Sequence, residues 1–411
     1  LSLAEAISNA QAHQPSLKQA QFSVFAAKAR VDEAQAPLWP QLTGTLNYRR
    51  QQGPTTVINT TGPNGLPATI NSTPTPNTFT GGVQASQLVW DFGQTLERYH
   101  SAERSAEAQV HSQENTVQQS QLDVRSAFFA ALAQQYLLEV AQANEANSRR
   151  HLVLIEGQVQ VGVNPPIDLA SGRSAVATAV LQRINAEAAL ANAKAKLNQA
   201  MGTPGNLDYA LAKETFPVVQ GEDAPLDTML DEALKKRPEL LQLGSQHQAQ
   251  ESTVASVKGA YWPTIGISTA FTETGTGDTN INWAWLWNAQ ATLSWQFFQG
   301  GLTNAQVHEQ EANLGVIEAE IEGEQQQVRV DLEQAQEAVR ADKEAQVAAR
   351  EAATNAQEQL NLAEGRYKAG VGSIIELGDA QVALATAQAQ VVQADYNLAT
   401  ARAQLVKALG R

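Results

Sequence analysis

The side chains best placed to do chemistry are three carboxylates beside two short glycine turns. Val161-Gly162-Val163 leads to Asp168-Leu169, and Ala369-Gly370-Val371 leads to Glu376-Leu377 with Asp379 close behind. An acid in the first turn of a helix faces the positive end of the backbone dipole, and Ser373-Ile374-Ile375-Glu376 has the spacing of a capping box. Asp379 lies past the first turn, so capping alone does not account for it. Little else in the chain suggests reactivity. His13, His100, His111, His151, His247 and His308 are scattered without ligand spacing, and each reads as a surface histidine. No HExxH, P-loop or GxSxG occurs, and the chain has no cysteine. Metal sites, cofactors and nucleophilic catalysis are therefore not expected, and neither is an enzyme.

The elements that carry these acids are unusual. The chain is written twice: Pro15 precedes Trp39-Pro40 by the separation at which Pro238 precedes Trp262-Pro263, and the copies end alike at Leu190, Leu197 and Gly202 against Leu398, Leu405 and Gly410. The first repeat is read as 1–202, with a helix, a β-hairpin at about 40–91, a long helix at about 93–161, a tip at 162–167 and a helix at 168–201. A connector follows at 203–225, with a short strand expected at Phe216 to Val219. The second repeat, 226–411, has a helix, a β-hairpin at about 263–298, a long helix at 302–369, a tip at 370–374 and a helix at 375–409. Each long proline-free segment would extend roughly 100 Å, far beyond what a globular core needs. The returning helix has a strict seven-residue seam, Leu377, Leu384, Val391, Leu398 and Leu405, with Ala380, Ala387, Ala394, Ala401 and Ala408 three residues after each. Such a stripe packs along a neighbouring helix, with alanine permitting close approach. Leu169, Val176, Leu190 and Leu197 repeat it in the first copy, where Arg183 interrupts the stripe.

The hairpins alternate with period two. Leu42, Gly44, Leu46 and Tyr48 form an apolar face against Gln41, Thr43, Thr45 and Asn47, and a second strand runs through Phe79, Gly81, Val83, Ala85 and Val89. Between them, 53–77 reads as a long exposed loop. In the second copy Ile265, Ile267, Thr269 and Phe271 precede a short loop, 275–278, and a strand carrying Trp283, Trp285, Trp287, Ala289, Ala291, Leu293 and Trp295. Tryptophan favours a membrane interface, and an apolar face backed by a polar one fits a barrel wall between lipid and water. No apolar run is long enough for a helical span, but a barrel strand needs only about ten residues. The net charge of −14 comes without a basic cluster, so nucleic acid is not an expected partner.

In this order and number the segments resemble the TolC-like outer-membrane efflux protein family across essentially the whole chain. The resemblance implies a mostly α fold with a transmembrane β portion. Three chains would form a trimeric α-barrel of long antiparallel coiled-coil helices, continuous with a twelve-stranded β-barrel to which each gives four strands. It implies an outer-membrane location with the helices in the periplasm, and a passive exit duct for efflux or type I secretion. The implied partners are outer-membrane lipid, a periplasmic adaptor and an inner-membrane pump of RND, ABC or MFS type. By the same resemblance Asp168 and Tyr367 pair across a closed tip, Glu376 and Asp379 face the constricted pore, and the tips at Gly162, Val163, Gly370 and Val371 dock the adaptor. The chain departs from the family at Gly372, where some members have a gate arginine, at Ile167, and at Pro165-Pro166, so a simpler polar lock and a stiffer first turn are expected. A soluble periplasmic coiled-coil adaptor or scaffold would explain the heptads but leaves the alternating strands unexplained.

Overall fold

The computed structural model describes residues 1–411 except 53–55, 62–64, 73–76, 164, 206–207 and 278–279. Helices α1 (Leu3–His13) and α2 (Pro15–Gln35) lead to strand β1 (Gln41–Arg50). Then come β2 (Thr56–Thr61), β3 (Pro67–Ser72), β4 (Asn77–Trp90), α3 (Gln94–Gln160) and α4 (Pro166–Met201). The second half has α5 (Leu226–Lys236), α6 (Pro238–Gly259), β5 (Thr264–Gly277), β6 (Asn282–Ser294), α7 (Leu302–Lys368) and α8 (Ile374–Ala408). The halves match closely in length: α3 and α7 have 67 residues each, and α4 and α8 have 36 and 35.

The chain divides into two compact units. One, comprising 1–25, 108–244 and 319–411, is helical. Its larger core gathers Phe128, Leu197, Leu332 and Leu405 with α1, α5 and the connector. Along α8 four of the five seam residues, Leu377, Leu384, Leu398 and Leu405, are buried, as are all five alanines of the companion stripe, while Val391 is partly covered. The α4 stripe behaves differently. Leu197 is buried, but Leu169, Val176 and Leu190 are only partly covered, and Leu181 and Ile184 are exposed. Where Arg183 interrupts the stripe, its Nε donates to Glu145 on α3 at 2.7 Å.

The connector holds no strand at Phe216 to Val219. Side chains meet the backbone groups that a ladder would otherwise pair, as Arg402 Nη1 donates to the Phe216 carbonyl (3.3 Å) and the Val219 N–H donates to Glu222 (3.0 Å). Glu222 is buried and also takes a two-pronged bond from Arg402 (3.1 Å to each oxygen) and contacts Lys343 Nζ at 2.7 Å. Burial pushes the Glu222 carboxyl up, but Arg402, Lys343 and the Val219 N–H outweigh it and leave the group below the ordinary carboxylate range.

The second unit, 26–107 and 245–318, contains the sheet. Its four main strands are antiparallel in the order β1-β4-β5-β6, so β1 and β6 are both edges. Within 53–77, β2 and β3 pair with each other rather than forming only a loop. Thr-rich, β-branched runs either side of Gly65 supply the strand propensity behind that hairpin. Residues 53–55, 62–64 and 73–76 of the expected loop lie outside the described residues. Of the short loop expected at 275–278, residues 275–277 instead continue strand β5, with Gly275 paired to Trp283, and 278 lies outside the described residues.

Candidate functional site

The main register aligns like with like. Gly44, Val83, Phe271 and Trp287 stand in one row across the strands, and Thr45, Gly82, Thr272 and Leu286 in the next. Because alternate residues point to opposite faces, the first row belongs to an apolar side and the second to a mainly polar one. Between Leu88 and Trp90 the register shifts, so Trp90 rather than Val89 stands opposite Ile265. Val89 is the extra residue at this bulge, and Trp90 takes its place in the ladder. Glu273 also falls on the apolar side, opposite Trp285.

All seven tryptophans of the chain lie on or beside this sheet, and all but Trp287 lie at its two ends. Trp283 and Trp285 occupy the hairpin end of β6, near Tyr48 and Phe79, whose rings are 4.9 Å apart, and Trp287 follows one residue short of the strand's middle. Trp39, Trp90, Trp262 and Trp295 sit where the chain passes between strands and helices. There Trp262 stacks on Phe92 at 5.3 Å and Trp295 Nε1 donates to the Tyr261 carbonyl at 3.1 Å. Every one of the seven is more than half exposed, which is unfavourable in water and suited to a headgroup region. Ten residues separate Trp285 from Trp295; at about 3.3 Å each and a tilt near 40°, they span about 25 Å of height, the usual thickness of a barrel's apolar band. The helix-side band was not singled out from the sequence: Trp39 and Trp262 stand at matching places in the two repeats, but Trp90 and Trp295 are brought beside them only by the strand pairing. Among the described residues no helix is long and apolar enough to cross a membrane.

At the helix tips, the two turns are built alike. Gly162 and Gly370 take left-handed conformations (φ 76° and 74°). At one tip the Gly162 N–H bonds the Val159 carbonyl and the Val163 N–H that of Gln158; at the other, Gly370 bonds Tyr367 and Val371 bonds Arg366. This is the Schellman ending, in which a left-handed glycine satisfies the last carbonyls of a helix. It presents Val163 and Val371 to solvent, 64% and 70% exposed. Pro166 opens α4 behind Pro165, a start that sacrifices no hydrogen bond because a first-turn N–H has no helical partner.

The acids then separate by environment. Asp168 is half-buried in the first turn of α4. Glu376 receives a backbone cap at its own N–H from Ser373 Oγ (3.1 Å), while its carboxylate turns to Arg366 at 3.0 Å. The Ser373 half of the capping box is thus present, and the Glu376 side chain is engaged across the turn. Asp379 is exposed on α8 and has no ion-pair partner among the described residues. Tyr367 is buried with Leu377, Ala380, Leu384 and Ile155 in the tip core. At Gly372, a Cβ would come within 2.9 Å of the Tyr367 backbone nitrogen, so this turn cannot carry an arginine there. Arg366 brings a guanidinium to Glu376 from the other side of the turn. The available signal was a basic residue ending one helix opposite an acid starting the next.

His151 departs from the surface reading. It is 9% exposed, with Nε2 3.3 Å from Glu364 Oε1. Burial holds its pKa below the usual histidine value, against the raising effect of Glu364. Among the described residues no group of three or more His, Asp or Glu side chains could hold a metal ion.

The outer membrane efflux protein family model matches residues 6–203 and 229–411. The chain is 24% identical to the outer membrane protein TolC of Escherichia coli strain K12 over 427 residues, covering 99% of this chain and 82% of that protein. It is 24% identical to the outer membrane efflux protein BepC of Brucella suis over 379 residues, covering 90% and 77%. A crystal structure of CusC superposes with a TM-score of 0.84 at 19% identity, covering 99% of this chain and 92% of the other. Four antiparallel strands set in long helices, two aromatic bands and paired tips thus accompany a match across nearly all of the sequence: the chain belongs to the outer membrane efflux protein family.

Proposed function

We propose that three copies of this chain close a twelve-stranded barrel in the outer membrane and continue it as a helical tunnel gated at the tips. The observation that carries this reading is the placing of Trp283 and Trp285 at one end of the sheet and Trp39, Trp90, Trp262 and Trp295 at the other, about 25 Å apart, on a sheet whose edge strands β1 and β6 are unpaired within the chain. An open edge cannot remain in hydrocarbon, because each unpaired backbone group there costs several kcal/mol. Pairing β1 of one copy with β6 of the next removes all the edges. The half-buried stripe of α4, with Leu181 and Ile184 exposed, gives the helices a surface for the same neighbour.

In this assembly Glu376 and Asp379 from each copy line the narrowing, Asp168 and Tyr367 hold it shut, and Val163 and Val371 beside Gly162 and Gly370 receive a periplasmic adaptor. The adaptor links the duct to an inner-membrane pump of RND, ABC or MFS type, which supplies the energy for efflux or type I secretion. A soluble adaptor or scaffold fits poorly with a sheet whose strands β1 and β6 are exposed throughout. Since the chain has no cysteine, cysteine pairs scanned along β1 and β6 report only contacts between copies. Disulfide crosslinking in cells should give a ladder ending at three chains; a ladder ending at two or four would overturn the trimer.

A further inference from the structure

A cavity of about 180 Å³ lies between the tip segments of α3, α4 and α8, within the helical unit. Leu152, Ile155 and Leu377 supply apolar wall, and Ser148, His151 and Gln381 supply polar groups. Two of those groups are buried without a hydrogen-bond partner among the described residues: His151 Nδ1 and Gln381 Nε2. Buried polar atoms in native proteins are nearly always bonded, so two orphans on one cavity mark it as a place for a partner.

The chemistry of that partner follows from the two atoms. The 3.3 Å contact of His151 Nε2 with Glu364 assigns the ring hydrogen to Nε2, because a carboxylate can only accept. Burial keeps the ring neutral, which leaves Nδ1 as an acceptor. Gln381 Nε2 is a donor. A hydroxyl both donates and accepts, and the apolar walls suit a small hydrocarbon body; a cavity of about 150 Å³ already admits benzene. Ser171 and Ala175 on the α4 wall are exposed, which provides an entry. We propose that this cavity is a binding site for small uncharged hydroxylated aromatics of phenol size, held by His151 Nδ1 and Gln381 Nε2. The α8 wall includes Gly378, adjacent to Asp379, so an occupant would bear on the helix that carries the tip acids.

The test uses the full chain in detergent with fluorine NMR of 4-fluorophenol and fluorobenzene. Gly378→Leu is the control that subtracts partition into the micelle: a Cβ at Gly378 meets nothing within 4 Å, and leucine is the better helix former, so the variant fills the cavity in a folded chain. Native protein minus control should show 4-fluorophenol bound about tenfold more tightly than fluorobenzene, since benzene would leave both polar atoms unpaired. Gln381→Leu should bring the two ligands to within about threefold of each other. Crystals soaked in 4-bromophenol should show the bromine by anomalous scattering between Leu152 and Leu377. Equal binding of the two ligands, no difference from the Gly378→Leu control, or binding at crystal concentration only would overturn the site.

Discussion

An arginine placed on β6 measures where the sheet meets lipid. Ala291 stands on the apolar face, opposite Ile267, one residue past the midpoint between Trp285 and Trp295. Its height is therefore about 3 Å from the centre of a band about 25 Å tall. Arginine on the lipid face at the bilayer centre costs about 2 to 4 kcal/mol, falling to about 0 to 1 near the interfaces. Ala291→Arg should thus lie in the upper range for each copy, whereas Leu293→Arg, two residues from Trp295, should cost at most about 1 kcal/mol. Gln290→Arg, on the opposite face, should cost close to nothing because that side meets water. The assay is equilibrium unfolding by urea in lipid vesicles, with each variant measured against the native chain. Similar losses at 290 and 291, or a larger loss at 293 than at 291, would show that the apolar face does not meet lipid and that the two tryptophan bands do not bound a membrane.

If Glu376 and Asp379 ring the narrowing, the Glu376→Gln, Asp379→Asn double variant should lose cation selectivity and block by trivalent ions in planar-bilayer conductance; unchanged selectivity would leave Glu376 with its Arg366 contact and Asp379 as a surface residue. Gly370→Trp has open space around its Cβ and pays about 1 to 2 kcal/mol for its left-handed backbone, so it should remain assembled yet lose export in cells; normal export at normal abundance would place adaptor docking elsewhere. Glu222→Gln leaves the partly buried Arg402 opposite a neutral amide and should destabilise the helical unit by about 3 kcal/mol at pH 7 in denaturant titrations. Because the folded-state pKa of Glu222 is depressed, its contribution is present above the unfolded pKa and fades as pH falls through the folded one, so the gap between native and variant should narrow in acid. A constant gap from neutral to acid pH would mean that the charge of Glu222 is not what stabilises the connector.

The features that the sequence determined alone are those set by short-range periodicity. Alternation with period two assigned Leu46 and Val83 to one face and Thr45 and Gln84 to the other, because successive side chains on a strand cannot share a face. The seven-residue seam of α8 marked Leu377 to Leu405 as buried for a similar reason: a helix that repeats every seven residues keeps one stripe inward. The Gly162 and Gly370 turns were legible because left-handed backbone selects glycine. Tertiary structure decided what depends on the relative placement of distant segments. It brought Arg366 to Glu376 and His151 to Glu364, turned the Glu222 carboxylate onto Arg402, and shifted Trp90 into the apolar row through a bulge. It also assembled the helix-side band from Trp39, Trp90, Trp262 and Trp295, which belong to four separate segments of chain. None of these has a sequence period, because each depends on how one element is rotated and offset against another, and those are fixed only when the surfaces pack.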